Sequence, residues 1–354
     1  MPPTITPAEF VSESVGCFEQ AAEIAGLHER TFALADRRVR LRFAGEKLLR
    51  PMTRALAHCA AQDKGAADLT VCFFDSESTA TAMPPPAWST EQYTGSGEIA
   101  HFRNDDVETS YLVGWDVFQC FDRRRNLAVY WTPSWRRLPW WEVSFPLRMI
   151  LHWWLRDTAF QPVHAAAVGT AEGGVLITGP CGSGKSTTAL SCLGSRLRYA
   201  GDDYTLTCVE PKPFVHLLYS TAKLDPDGLG RFPRLAASVD NRGRLDREKA
   251  MLYLHESRPE SLIAGFPIRA VLAPEITGKP HTSLESVPQS RAMLALAPTT
   301  TKHLPAARAR TVAKLAQLTK SVGCYKLLAG TNLEEIPEVL WELVERLNRE
   351  AANA

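Results

Sequence analysis

Between residues 164 and 203 the chain gathers residue types that act together on phosphate. Gly179-Pro180-Cys181-Gly182-Ser183-Gly184-Lys185-Ser186 carries both glycines, the lysine and the hydroxyl of a Walker A phosphate-binding loop, with Thr187 directly after it. Glycines let successive backbone N–H groups turn inward on an anion, and a helix opening at the end of the loop adds its positive pole. Lys185 would reach the β- and γ-phosphates of ATP, and the Ser186 hydroxyl would complete the shell of Mg²⁺. The plain structural alternative is a glycine-rich turn with no ligand. The complete motif, entered from the buried-strand run Val175-Leu176-Ile177-Thr178 and left through a helix-compatible stretch from Thr187 to Leu193, favours a nucleoside triphosphate.

Asp202 stands seventeen residues after Lys185, in Ala200-Gly201-Asp202-Asp203-Tyr204, and His164 stands fifteen residues before the loop. The interval after the loop has room for one short helix and a return. It therefore predicts that the aspartates enter a strand beside the phosphate loop, and that His164 lies on the strand before it. Two adjacent carboxylates suggest two jobs, one holding the metal with Ser186 and the other accepting a proton from an attacking hydroxyl. Neighbouring strand residues point to opposite faces, so both can act at one site only from the strand's frayed end. Gly-Asp-Asp is also turn chemistry, and a lone histidine is commonly a packed one.

In order and spacing, His164, Gly179 to Ser186, Asp202 and Asp203 resemble the HPr kinase/phosphorylase family and, more distantly, the ATP-type phosphoenolpyruvate carboxykinases. The resemblance spans about residues 160 to 345, roughly half the chain. It implies an α/β phosphate-loop kinase domain in which Asp203 deprotonates a serine hydroxyl, Asp202 lies near the metal and His164 lines the phosphoryl site. Tyr219-Ser220-Thr221-Ala222-Lys223-Leu224 looks like the family's segment with a lysine, making Lys223 a candidate phosphate contact or an ordinary surface lysine. The further signature of true HPr kinases has no placed match here. With Pro146-Leu147-Arg148 through Leu151-His152-Trp153-Trp154-Leu155 ahead of Val163-His164, the chain looks more like the HPr-kinase-like enzymes of bacterial peptide-modification gene clusters, including the precursor-peptide kinases of lasso-peptide pathways. That likeness implies a serine on a ribosomally made peptide, or on a protein, as acceptor. An HPr-type protein kinase, a small-molecule kinase and a nucleotide-binding regulatory ATPase are the alternatives.

These residues need a frame, and 354 residues with 45% apolar content are enough for two cores. The expected division is an α+β domain over residues 1–158 and the kinase-like domain over 159–354. Forty basic residues against thirty-nine acidic give no footprint for nucleic acid or an anionic membrane. Met1-Pro2-Pro3-Thr4-Ile5-Thr6-Pro7 has neither a basic nor an apolar leader region. Eight cysteines form no C-x-x-C pair, and a disulfide at Cys181 would obstruct the loop. A cytoplasmic protein with reduced thiols is expected; a homo-oligomer is left open.

In the first half, Phe10 to Gly26 and Leu48 to Cys59 fit helices, and Thr31–Leu34 with Val39–Phe43 fit a hairpin. Leu69–Phe74, Tyr111–Val113, Val117–Phe121 and Asn126–Trp131 read as strands, Arg123-Arg124-Arg125 as a turn between strands, and Asp75 to Thr94 as an irregular loop. Six of nine tryptophans fall between Trp131 and Trp154. They suit either a peptide-binding face or a core seam, and the helix-like run from Leu147 to Arg156 favours the seam. In the second half, Ile268–Pro274 reads as a strand ended by its proline, Ala306–Leu318 and Glu335–Leu347 as helices, and Gly323–Leu328 as a strand. The arginines between Arg231 and Arg258 suit a phosphate clamp or a solvated surface.

Overall fold

The computed structural model describes residues 5–62, 65–95 and 97–353. The first four residues, part of the leader reading above, lie outside them. The chain divides into two compact units, one ending at Trp154 and the other beginning at Leu155.

The first unit opens with α1 (Pro7–Ala25). Thr6 and Glu9 close a capping box at its start, and Phe10, Ser14, Phe18, Ala21 and Ala22 form its buried stripe. There follow β1 (Leu27–Leu34), β2 (Arg37–Ala44), α2 (Leu49–Thr53), β3 (Ala60–Ala61), β4 (Leu69–Asp75) and α3 (Ser76–Thr79). Next come β5 (Val107–Leu112), β6 (Val117–Asp122), β7 (Leu127–Thr132), α4 (Trp140–Ser144) and α5 (Arg148–Trp154). The described strands form one sheet in the order β3-β1-β2-β4-β7-β6-β5, parallel at β2–β4 and β4–β7 and antiparallel elsewhere. Phe10 and Phe18 of α1 share a core with Phe74 and Phe118 of this sheet. The helix expected over Leu48–Cys59 divides at Thr53 into α2 and a 3₁₀ segment, Arg54–Cys59. The loop expected from Asp75 contains the short α3, capped by Asp75 itself.

The second unit begins with β8 (Phe160–Val163), β9 (Ala165–Thr170), β10 (Gly173–Thr178) and α6 (Lys185–Ser191). It continues with β11 (Arg198–Tyr199), β12 (Thr205–Cys208), β13 (Phe214–His216), β14 (Thr221–Leu224), α7 (Pro226–Leu229), α8 (Pro233–Ala236), β15 (Ala250–Tyr253) and α9 (Leu254–Ser257). It ends with β16 (Gly265–Ile276), β17 (Ser283–Ser286), α10 (Gln289–His303), α11 (Arg308–Ser321), β18 (Gly323–Ala329) and α12 (Glu335–Ala352). The long β16 organises the sheet. Its first residues pair with β13, and its later ones run parallel to β10 on one side and β18 on the other. Val175 and Ile177 of β10 pack toward α12, in a core with Ile336, Leu340 and Val344. Leu176 faces the opposite core, with Leu296 of α10 and Leu315 of α11. This alternation of apolar side chains is what a strand covered on both faces requires.

Two expectations need correcting. Pro274 does not end its strand: β16 runs to Ile276, with Pro274 opposite Leu327 of β18. Pairing with β10 stops at Ile177 and Leu272, so beyond that point β16 has no strand on its β10 side, where a missing N–H costs little. Residues 289–303, for which no element was expected, form α10 despite Pro298 inside it.

Candidate active site

β10 ends at Thr178 and α6 begins at Lys185, so the phosphate loop connects a buried strand to a helix. Gly182 and Gly184 take φ of 79° and 98°, the left-handed region that glycine enters without strain. A Cβ on Gly179 would lie 2.7 Å from Ser183 Oγ. The Ser183 hydroxyl is buried with no hydrogen-bond partner in the protein, an orphaned polar atom inside the loop. Lys185 is 5% exposed and donates to the carbonyls of Gly179 (2.8 Å) and Pro180 (3.1 Å). Burial lowers the pKa of its ammonium, against the pull of Asp203 and Asp202.

The aspartates are close to the loop but not on a strand beside it. β10 is flanked by β9 and β16, and Asp202 and Asp203 occupy a bend before β12, which pairs with β8 and β13. The bend keeps the two side chains at one site: Asp203 takes φ of 60°, which releases the pair from strand alternation. Asp202 is fully buried, and its Oδ1 accepts from the Ser186 hydroxyl at 3.0 Å and from the Asp203 backbone N–H at 2.9 Å. Asp203 Oδ2 lies 2.6 Å from Lys223 Nζ, and its Oδ1 3.4 Å from His164 Nε2.

These surroundings divide the acidity of the pair. Burial first, and then the charge of Asp203, push the Asp202 carboxyl up to about 7. Burial would raise Asp203 too, but the Lys223 ammonium and His164 outweigh it and hold that carboxyl well below the usual range. The two carboxyls interact strongly, so their protons come off as a pair.

His164 also departs from expectation. It is the single residue between β8 and β9, at a bend rather than on a strand. Its backbone N–H donates to Thr300 Oγ1 (3.2 Å), and its Nδ1 lies 2.6 Å from Thr299 Oγ1. His303 stacks on the ring at 4.3 Å and an interplanar angle of 22°. Burial lowers the pKa of the ring, against the pull of Asp203.

A cleft of about 330 Å³ opens beside the loop. Cys181, Gly182, Gly184, Lys185, Ser186 and Thr187 line it together with His164 and Asp203. Lys223, Arg231, Lys249 and His303 complete the charged and aromatic wall. Of the candidate residues, Gly179, Pro180, Ser183 and Asp202 are not among the lining residues. Lys223 is no surface lysine: it is 8% exposed, on β14, against Asp203. Of the arginines between Arg231 and Arg258, only Arg231 is among the lining residues. Arg242 bonds the carbonyls of Ala237 and Val239, and Arg244 pairs with Glu248. Lys249, Thr299 and His303 carried no sequence signal, because none belongs to a motif and their relation to the loop is purely tertiary.

The residues fit ATP and Mg²⁺ by their chemistry. A concave glycine loop with an unpaired buried hydroxyl suits phosphate oxygens. The Ser186 hydroxyl and Asp202 carboxylate are hard oxygen donors of the kind Mg²⁺ takes in small number beside substrate phosphates. Among the described residues no group of three or more His, Cys, Asp or Glu side chains could hold a metal by itself. None of the eight cysteines is in a disulfide. Among the described residues no helix is long and apolar enough to cross a membrane.

No protein-family model and no curated protein matches the chain. Among solved structures it is similar to the HPr(Ser) kinase/phosphatase from Coxiella burnetii, with a TM-score of 0.29 and 12% identity over 55% of this chain and 99% of that one. At that score the likeness fixes neither fold nor activity for this chain.

Proposed function

We propose that the second unit is an Mg²⁺-dependent kinase that moves the γ-phosphoryl group of ATP to a serine hydroxyl of a peptide or protein. The observation that carries this reading is the division of labour between the two aspartates: Asp202 meets the phosphate-loop hydroxyl of Ser186, while Asp203 faces the cleft, ionised and free of that task. A protein that only senses nucleotide needs one metal-holding carboxylate; a second, aimed at the cleft, serves an acceptor.

In this reading Ser186 and Asp202 would hold Mg²⁺, which would supply positive charge to the phosphates. Lys185, Lys223 and Arg231 offset the negative charge of the transferring group. Asp203 accepts the proton of the serine hydroxyl as its oxygen bonds to the γ-phosphorus; the bond from that phosphorus to the bridging oxygen breaks, and ADP leaves with the electron pair. His164 steadies Asp203. The choice of a precursor-peptide serine rests on the resemblance of residues 146–155, ahead of Val163-His164, to the peptide-cluster kinases, and on the HPr-kinase signature that has no placed match, not on the shape of the cleft.

The test is incubation with γ-labelled ATP, Mg²⁺ and three acceptors: serine-containing peptides, an HPr-type protein and small hydroxylated metabolites. Phosphoserine on the peptides by mass spectrometry supports the proposal. Label on the HPr-type protein or a metabolite alone moves the acceptor. Free phosphate with no labelled acceptor sinks transfer in favour of a nucleotide-binding ATPase.

A further inference from the structure

The last turn of α10 closes on His164 from two directions. Thr299 and His303 are four residues apart and so share a helix face. One meets the ring at its Nδ1 edge, the other covers its plane. Thr300, next on the helix, accepts from the His164 backbone N–H at 3.2 Å. Pro298 precedes this turn and cannot supply the N–H of a regular helical rung. Thr299 is 9% exposed and Thr300 fully buried.

The protons on the ring follow from its partners. A carboxylate only accepts, so the nitrogen facing Asp203 Oδ1, Nε2, must carry hydrogen. In the neutral ring Nδ1 is then a bare acceptor, and the Thr299 hydroxyl at 2.6 Å can donate to it. In the opposite tautomer, with the proton on Nδ1, a lone pair would face the Asp203 carboxylate. We propose that Thr299 is a positioning residue: its hydroxyl fixes His164 in the Nε2–H tautomer, and that N–H holds the Asp203 carboxylate toward the acceptor. The same logic governs any histidine oriented by a third group behind a catalytic centre. The proposal rests on the reading of Asp203 as proton acceptor.

The test uses the full chain labelled with ¹⁵N-histidine, the His164 ring signals being assigned by their loss in His164→Gln. The unaltered protein should show the Nε2–H tautomer. Thr299→Val, similar in shape but without the hydroxyl, should shift His164 toward a mixture of tautomers. It should also lower kcat for phosphoryl transfer from MgATP to the serine peptide by roughly tenfold, with KM for ATP unchanged. Thr299→Ser should restore both. Should valine prevent folding, Thr299→Ala read by the same signals takes its place. An Nδ1–H ring in the unaltered protein overturns the proposal, as does a hydroxyl-free variant whose tautomer or kcat does not move. If the tautomer responds as stated but Asp203→Asn turns over normally, the assignment of Asp203 fails while the lock between Thr299 and His164 stands.

Discussion

Glu142, buried in the first unit, and Asp203, half-buried in the second, are both carboxylates beside a cation, and their acidities move in opposite directions. Glu142 has the Arg148 guanidinium at 3.3 Å, with the Tyr130 hydroxyl and the Gln119 amide each at 3.4 Å. Burial is the larger influence there and raises its pKa despite the arginine. Asp203 has Lys223 at 2.6 Å and His164 on its other oxygen, and together they overcome burial. The Glu142 side chain is 1% exposed and that of Asp203 18%, the latter lining the cleft. A buried ion pair is thus a poor guide to function by itself. What separates the two is whether the charge is kept ionised and reachable.

The sharpest break between the clusters should come from mutation around the cleft. If Lys185 faces the transferring phosphoryl group as proposed, Lys185→Ala should cut turnover by roughly 10³-fold or more. Full activity in that variant would make the loop a structural turn. Asp203→Asn should lower transfer by roughly 10²–10⁴ with ATP affinity nearly intact. Asp202→Asn should instead raise the Mg²⁺ concentration needed for half-maximal rate, and reversed phenotypes would exchange their roles.

In the first unit the same kind of change should act on stability. Arg148→Met leaves a buried carboxylate without its arginine and should cost about 3 kcal/mol in urea unfolding. Eight of the nine tryptophans precede residue 155, so tryptophan fluorescence reports chiefly this unit. Turnover of the folded variant should be unchanged; a loss there would erase the distinction drawn above.

The smallest effect is one of pH. Because the folded pKa of Glu142 lies above its unfolded value of 4.5, the folded state holds a proton that the unfolded state gives up. Its contribution is therefore full below 4.5 and is lost as pH rises through the folded value. Glu142→Gln keeps an amide among the same partners and should flatten that decline in urea midpoints measured as pH rises from 4.5.

The parts of the site legible in the sequence are those whose functional atoms sit on consecutive residues. Gly179 to Ser186 carries its geometry in its own backbone, and β10 announces itself because Val175, Leu176 and Ile177 are covered on both faces. Asp202 and Asp203 could be named but not placed, since the left-handed Asp203 has no signature that separates a bend from a strand entrance. His164 was visible only as a position before the loop. Its partners Thr299 and His303 belong to a helix with Pro298 inside it and rich in threonine, residues that argue against helix when read locally. Lys223 could be read as a surface residue because nothing local reveals that β14 brings it to Asp203.

The long β16 also sets when the site can exist. Val175 of β10 pairs with Ala270, and His164 meets Thr299 still later in the chain. At synthesis rates of roughly 10 residues per second, the complete phosphate-loop motif waits on the order of ten seconds for the strand that flanks it. During that time the nascent chain carries the motif without the pocket. Ribosome-stalled chains should begin to retain ATP only after β16 has cleared the exit tunnel, and to hold Asp203 in place only once α10 has followed.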